Sequence, residues 1–313
     1  MKQWTLPILL TIEMIVLVPY SGVRFESPSI FLNDFGFYLS DLCATAAPLL
    51  ILSFGMTLVL MTAGIDLSIG SMVALIACIL SLFDPGLSFW MLGIPCGFLL
   101  AIGLGWFNGW LIAGLDIPPI IATLGTLFFY RGLCEVVIGG RENISPAPVW
   151  LGDVYGSVPL AMTLTGLGGW YFYQSRWRRE IQMLGGNRIA ARYAGIPVQR
   201  RIYETYLLMG ILALVAALCA SARDGSVKAS WQTGLELQVI VAVILGGTPV
   251  HGGSGTIRGS LIGVFIISVL ELGLMGLGKS ELKPLLLGFL LVTGVALNTH
   301  FQFSGSEGAT HKE

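Results

Sequence analysis

Asp66 is the residue most able to do chemistry here, because it lies where a carboxylate is costly. The run around it reads Thr62-Ala-Gly64-Ile-Asp66-Leu-Ser68-Ile-Gly70-Ser71 and sits between two apolar stretches. A charged side chain in a bilayer is expensive unless it faces a cavity, a partner or an interface. Gly64 and Gly70 are expected to weaken the helix around it, and irregular backbone is tolerated in lipid only where protein or water surrounds it. Two chemistries fit such an acid. It could hold a proton or sodium ion and couple it to transport. Alternatively, its oxygens could accept from backbone donors at the start of the helix that opens with Leu67-Ser68.

Other candidates are weaker. Gly252-Gly253-Ser254-Gly255 fits the G-x-S-G of intramembrane serine proteases. That chemistry needs a histidine base from a nearby helix. His251 is too close along the chain, His300 ends the last apolar run, and His311 lies in the tail. Asp66 has no second intramembrane aspartate to make a protease pair. Glu13, Glu236 and Glu271 are further acids in or near apolar runs, with Glu271 a candidate for a structural hydrogen bond and Glu236 for a surface position. No Gly-x-x-x-x-Gly-Lys-Ser/Thr occurs, so this chain cannot cradle ATP phosphates in a P-loop. Cys43, Cys78, Cys96, Cys134 and Cys219 lie in or beside apolar runs without a CxxC pair and read as packing residues. No catalytic residue, metal site or cofactor is expected.

The elements that must position these residues are membrane helices. The chain is 55 % hydrophobic and only 11 % charged, against roughly a quarter charged in soluble domains. Leu42 to Ile65, Pro85 to Leu115, Val154 to Ser175 and Thr205 to Ala222 carry no charge. Each can cross a hydrocarbon core of ~30 Å. Segments alternating as in a membrane β-barrel are missing. A net charge of -1, with no basic cluster interleaved with aromatics, argues against nucleic acid. The reading is an all-α polytopic membrane protein with about ten transmembrane or half-spanning helices, near residues 6–20, 42–62, 67–83, 89–114, 119–138, 158–175, 203–221, 235–247, 259–276 and 284–300. The first and eighth are short enough to be half-spans. Residues 1–303 form the membrane domain and 304–313 a short tail. The first run, after Lys2, lacks a small-residue cleavage site and reads as a retained span.

Arginine placement orients the helices. Arg176, Arg178, Arg179, Arg188, Arg192, Arg200 and Arg201 crowd one connection, which the positive-inside rule places in the cytoplasm. Counting spans outward puts both termini in the cytoplasm, and 139–156, 223–230 and 278–283 outside. Cysteines at Glu142 and Gln182 should therefore label from opposite sides. In the fourth segment Gly93, Gly97, Ala101, Gly105, Gly109 and Ala113 recur every four residues, a spacing that lets helix backbones approach closely. This stripe is either a tight static contact or a sliding surface.

Within the arginine-rich connection, Gly185-Gly186-Asn187-Arg-Ile-Ala190-Ala191-Arg192-Tyr-Ala-Gly195-Ile-Pro197 reads as a short helix. Asn187 can cap its start, and Gly195 followed by Pro197 stops it. Such a helix could dock on a soluble motor or rest on anionic lipid. The block Gly246-Gly247-Thr-Pro249-Val-His251-Gly252-Gly253-Ser-Gly255 cannot be regular helix. It is either a turn at the surface or an echo of the Asp66 break.

Four blocks in order carry a family resemblance: Thr62–Ser71, Ala122–Gly132 (with Thr123, Gly125 and Thr126), Gly185–Pro197 and Val243–Gly259. The chain resembles the membrane permease of bacterial ABC importers for sugars, of the ribose, xylose, arabinose and autoinducer-2 kind, over nearly its whole length. The resemblance implies a multi-pass inner-membrane protein with the ABC-importer permease fold. It implies a second permease subunit, as homodimer or heterodimer, around a central pathway for a sugar. It also implies a cytoplasmic ATPase subunit and a periplasmic sugar-binding protein. Gly185–Pro197 looks like the coupling helix on the ATPase, with Ala191 expected in the docking surface, and the other three blocks like pathway or structural motifs. His251 and Arg258 depart from the family's pattern. An ATP-driven importer needs no coupling ion, which favours a structural Asp66 over an ion-coupled transporter or an intramembrane hydrolase.

Overall fold

The computed structural model describes residues 5–24 and 27–310, with side chains for 6–24 and 27–296. Among them are twelve α-helices: α1 (Thr5–Leu17), α2 (Pro28–Met61), α3 (Ile69–Leu80), α4 (Ile94–Gly109), α5 (Pro119–Ile138), α6 (Val154–Gln174), α7 (Arg176–Gly186), α8 (Arg188–Tyr193), α9 (Val198–Asp224), α10 (Leu235–Leu245), α11 (Ile257–Gly276) and α12 (Lys283–Thr310). Turns of π-helix at Phe89–Gly93 and Trp110–Gly114 lengthen α4 at both ends. Five helices are long and apolar enough to cross a membrane: Pro28–Met61, Phe89–Gly114, Pro119–Ile138, Val198–Asp224 and Ile257–Gly276. This is an all-α polytopic membrane architecture. Helix α12 runs past residue 303, where the tail was expected to begin. Lys2 and His311 lie outside the described residues.

Helix α2 begins well before residue 42. Ser27 caps it, accepting from Ile30 N at 3.3 Å, and Pro28 occupies the first turn. The acids ahead of the apolar run that begins at 42 are paired: Asp34 with Arg24 at 2.9 Å and Asp41 with Arg223 at 2.6 Å. From Ala46 to Met61 every residue of α2 is buried, as expected of a helix apolar all round. Helices α9, α11, α6 and α10 enclose it, and α3 is enclosed by α5, α9 and α4.

Two short helices flank the two breaks. With 12 residues, α3 is ~18 Å long, and α10, with 11, is shorter still. Neither crosses a ~30 Å core. The order is long helix, break, half-helix for α2–α3, and half-helix, break, long helix for α10–α11. The long helices pack together, with Thr57 Oγ1 2.7 Å from Ser260 Oγ.

The small-residue stripe of α4 lies against α9. A β-carbon on Gly105 would sit 2.5 Å from Tyr206 O, and one on Gly210 would overlap Ala101 O. The stripe is a close-packed helix contact.

The loops gather at two ends. At one end β1 (Glu142–Ile144) pairs antiparallel with β2 (Ser226–Lys228), Glu142 opposite Lys228. Arg131 of α5 holds this end by donating to Ala229 O at 2.6 Å and Trp231 O at 2.7 Å. At the other end lie the 62–68 break, the 115–118 turn, the α7–α8 joint and the 249–253 turn.

Candidate functional site

Helix α2 stops because its last donors turn back on it. Thr62 N reaches Leu58 O at 3.2 Å, Gly64 N reaches Val59 O at 3.1 Å, and the Thr62 hydroxyl donates to Val59 O at 2.7 Å. The left-handed residue is Ala63, with φ 60°. A side-chain-bearing residue held there costs of order 1–3 kcal/mol and persists only where its surroundings enforce it. Gly64 therefore does not supply the turn's unusual dihedral. It is glycine because a β-carbon there would lie 2.8 Å from the Tyr206 hydroxyl. Gly70 likewise does not break α3. It lies in the first turn of that helix, where a β-carbon would overlap Glu236 Oε2 and sit 2.8 Å from Gln232 O.

Asp66 is fully buried beyond this turn. Its Oδ1 accepts from Ser68 N at 2.9 Å and Ser68 Oγ at 2.6 Å. Asn108 Nδ2 donates to Ser68 Oγ at 2.8 Å, and the Tyr130 hydroxyl lies 3.2 Å from Asn108 Oδ1 and 3.0 Å from Leu104 O. Ser71 Oγ donates to Ser68 O at 2.8 Å. This chain of polar groups ties the break to α3, α4 and α5. Asp66 Oδ2 and the Tyr206 hydroxyl are buried without a hydrogen-bond partner among the described residues.

The four sequence blocks converge on residues 61–66. From the second block, the Thr123 hydroxyl donates to Ile65 O at 3.0 Å. Thr126, also buried, bonds back to Thr123 O at 3.2 Å, whereas Gly125 faces outward with open space around it. From the third block, a β-carbon on Gly185 would overlap Met61 O. From the fourth, Gly253 N donates to Met61 O at 3.1 Å, and a β-carbon on Gly252 would lie 2.7 Å from Ala63 N. Gly247, Gly252 and Gly253 hold positive φ angles of 88°, 82° and 77°, which glycine adopts without strain. Gly246 packs backbone to backbone on Gly259, and Gly255 packs on the Met61 side chain. The two breaks thus touch each other, with the α7–α8 joint wedged beside them.

Helix α8 stands at the same end. Asn187 Oδ1 accepts from Ile189 N at 3.0 Å and Ala190 N at 2.9 Å, and Gly195, with φ 78°, ends the segment before Pro197. Arg188 pairs with Asp116 of the α4–α5 turn at 3.2 Å. Ala190, Arg192, Gly195 and Pro197 are exposed, as is Gly186. Ala191 is buried against the protein, so the expectation that it lies in a docking surface is corrected. The six-residue helix can bury one side against α9 and leaves Ile189 and Tyr193 outside, 71 % and 90 % exposed. The basic residues are partly used internally: Arg201 pairs with Glu180 and Glu204, and Arg178 lies over the Tyr173 ring at 4.6 Å.

The remaining acids resolve differently. Glu271 forms an ion pair with Lys283. Glu236 accepts from Gly234 N at 3.2 Å. Glu13 on α1 carries a buried oxygen without a partner among the described residues. Ser254 and His251 are both exposed in the 249–256 turn. No group of three or more His, Cys, Asp or Glu gathers as a metal site among the described residues. Met61, Asn108, Tyr130 and Tyr206 belong to the site without having been anticipated. Asn108 and Tyr130 carried a signal, being polar within apolar runs. The role of Met61 rests on its carbonyl, which no side-chain pattern reveals.

Residues 38–295 match the protein family described as branched-chain amino acid transport system / permease component. The chain is 35 % identical over 243 residues to the autoinducer 2 import system permease protein LsrC of Enterobacter sp. (strain 638), covering 74 % of this chain and 70 % of the relative. It is 32 % identical over 302 residues to the ribose import permease protein RbsC of Escherichia coli (strain K12), covering 90 % and 89 %. With the fructose import permease protein FruG of Bifidobacterium longum (strain NCC 2705) it shares 31 % over 284 residues, covering 83 % and 82 %. No solved structure matches the chain.

Proposed function

Because the chain belongs to the permease-component family of branched-chain amino acid transport systems, we propose that it forms the membrane path of an importer for a small sugar or sugar-like solute. The chain is a transport subunit of an ABC importer, not an enzyme, and ATP hydrolysis belongs to a separate subunit. The family description names amino acids. The names of the relatives above are those of autoinducer 2, ribose and fructose import permeases, which supports a sugar-like cargo here.

The observation that carries the coupling mechanism is the convergence of the four blocks on residues 61–66. Helix α8 projects Ile189 and Tyr193 as apolar anchors of the size that fills a groove on a partner protein. In this reading a push on α8 passes through Gly185 to the end of α2, and through Met61 O to the 249–253 turn, by close backbone contacts. The ATPase biases two states of this joint, each ligand acting only through its differential affinity. A periplasmic binding protein delivers the sugar at the ribbon end. A second permease copy or paralogue covers the face of α5 that leaves Ile121, Gly125 and Phe128 exposed. In this reading residues 1–303 are the permease domain and 304–313 a cytoplasmic tail.

Replacing Ile189 and Tyr193 together by aspartate is expected to leave the permease in the membrane but to lose the ATPase on co-purification. Each charge enters an apolar contact and costs several kcal/mol unless paired. Undiminished co-purification with normal uptake would remove α8 as the docking element. The arginine-rich end is the cytoplasmic one in this account. Single cysteines at Glu142 and Tyr193, both exposed, should react with an impermeant thiol reagent in intact spheroplasts only at Glu142. Reaction of both would contradict the topology, and reaction of Tyr193 alone would reverse the orientation.

A further inference from the structure

A cavity of about 510 Å³ opens beside Arg223, Asp224 and the 231–233 turn, at the ribbon end, and reaches inward between α2, α3, α9, α10 and α11. Its volume falls in the ~300–1,000 Å³ range of small-molecule sites. Leu49, Val73, Ala216 and Leu272 make an apolar wall. Gln238, Glu271, Lys283 and Thr45 face the same space. Gln238 is nine-tenths buried, at 7 % exposure. In the orientation that satisfies both neighbours, its carboxamide donates to Glu271 Oε2 at 3.3 Å and accepts from Lys283 Nζ at 3.0 Å. The Thr45 hydroxyl is closed off from solvent and has no partner among the described residues.

The four charged residues lining this cavity, Arg223, Asp224, Glu271 and Lys283, sum to no net charge. Glu271 pairs with Lys283, Arg223 with Asp41, and Asp224 accepts from Trp231 Nε1 at 2.7 Å. An ion entering would find no net charge to meet. What the walls offer is adjacent donors and acceptors on planar groups, set against an apolar surface. That combination recognises a ring with hydroxyls on one side and C–H groups on the other.

We propose that this cavity receives a neutral, polyhydroxylated solute of monosaccharide size, inside one protomer and apart from any path between protomers. The proposal rests on the sugar-import reading above. The test uses the permease–ATPase complex in lipid nanodiscs, carrying Met275→Cys at the cavity mouth, where Met275 is 59 % exposed. Cys43 and Cys96 are replaced by alanine, and the other cysteines are buried. The rate of modification by a charged methanethiosulfonate is followed with D-ribose, D-fructose, D-xylose or myo-inositol added in turn. At least one of these should slow modification several-fold. Gln238→Leu should weaken that protection about tenfold, the effect of losing a hydrogen-bonding group at a buried site. Thr45→Val should weaken it too, without disturbing the Glu271–Lys283 pair.

Protection that survives both substitutions overturns the proposal. So does protection by glycerophosphoethanolamine and by none of the four, which would mark a lipid-headgroup site. No protection in a complex that still transports one of these sugars overturns the proposal and leaves sugar import standing. A complex that neither binds nor transports any of them counts against the import reading itself.

Discussion

Gly185→Ala is expected to abolish uptake, while Gly186→Ala leaves it close to normal. A β-carbon on Gly185 would overlap Met61 O and lie 2.5 Å from Gly253 N. Both are backbone atoms, and neither can turn aside as a side chain would. The same carbon on Gly186 meets nothing within 4 Å. Overpacking of a fitted site costs ~1–3 kcal/mol, or about ten- to a hundredfold in the population of the assembled joint. Here the strain falls where α7, α2 and the 249–253 turn meet, so coupling should fail even in protein that reaches the membrane. The check is uptake in cells beside immunoblot levels of both variants. Equal uptake by the two would mean that the joint does not transmit the motor's movement.

The second large effect concerns Asp66. Asp66→Asn should keep a substantial share of uptake, because an amide oxygen can accept from Ser68 N and Ser68 Oγ as Oδ1 does now. Asp66→Leu should lose assembly. It strands two donors at a position with no solvent access, at ~1–3 kcal/mol for each unsatisfied group, against a total stability of ~5–15 kcal/mol. It also removes the end of the chain of bonds running through Ser68 and Asn108 to Tyr130. Membrane levels and uptake of the two variants separate the readings. An Asp66→Asn protein present at normal levels, bound to its ATPase and yet inert, would contradict the structural role and return Asp66 to ion coupling.

Much of the helical frame was legible from apolar runs. The lengthened α4 falls within the charge-free stretch Pro85 to Leu115, and α5 falls on the segment 119–138, which is apolar enough to span despite Arg131 and Glu135, because lipid and protein interior both select for apolar side chains along a span. The start of α2 lay ahead of the apolar segment drawn from residue 42, since Asp34 and Asp41 interrupt the apolar run there. Their partners, Arg24 and Arg223, are 10 and 182 residues away, and such pairing is invisible to local pattern. The break at Asp66 and the non-helical block after Gly246 were legible from composition, but their contact was not. It depends on the carbonyl of Met61 and the amide of Gly253, and backbone groups carry no sequence signature. The buried face of α8 was misassigned at Ala191 for a related reason. A six-residue helix is too short for periodicity to say which side packs on its own protein. Gly64 and Gly70 were recognised as unusual but for the wrong cause, because close approach and turn geometry both call for glycine.

The central claim is that a separate ATPase, and no ion gradient, drives sugar through this chain. The direct measurement is uptake into proteoliposomes holding the purified permease–ATPase complex, with its substrate-binding protein and radiolabelled monosaccharide outside and ATP enclosed. The account predicts uptake that requires hydrolysable ATP and the ATPase subunit, and that persists when proton and sodium gradients are collapsed. Uptake by the permease without its ATPase, driven by either gradient and lost in Asp66→Asn, would contradict it.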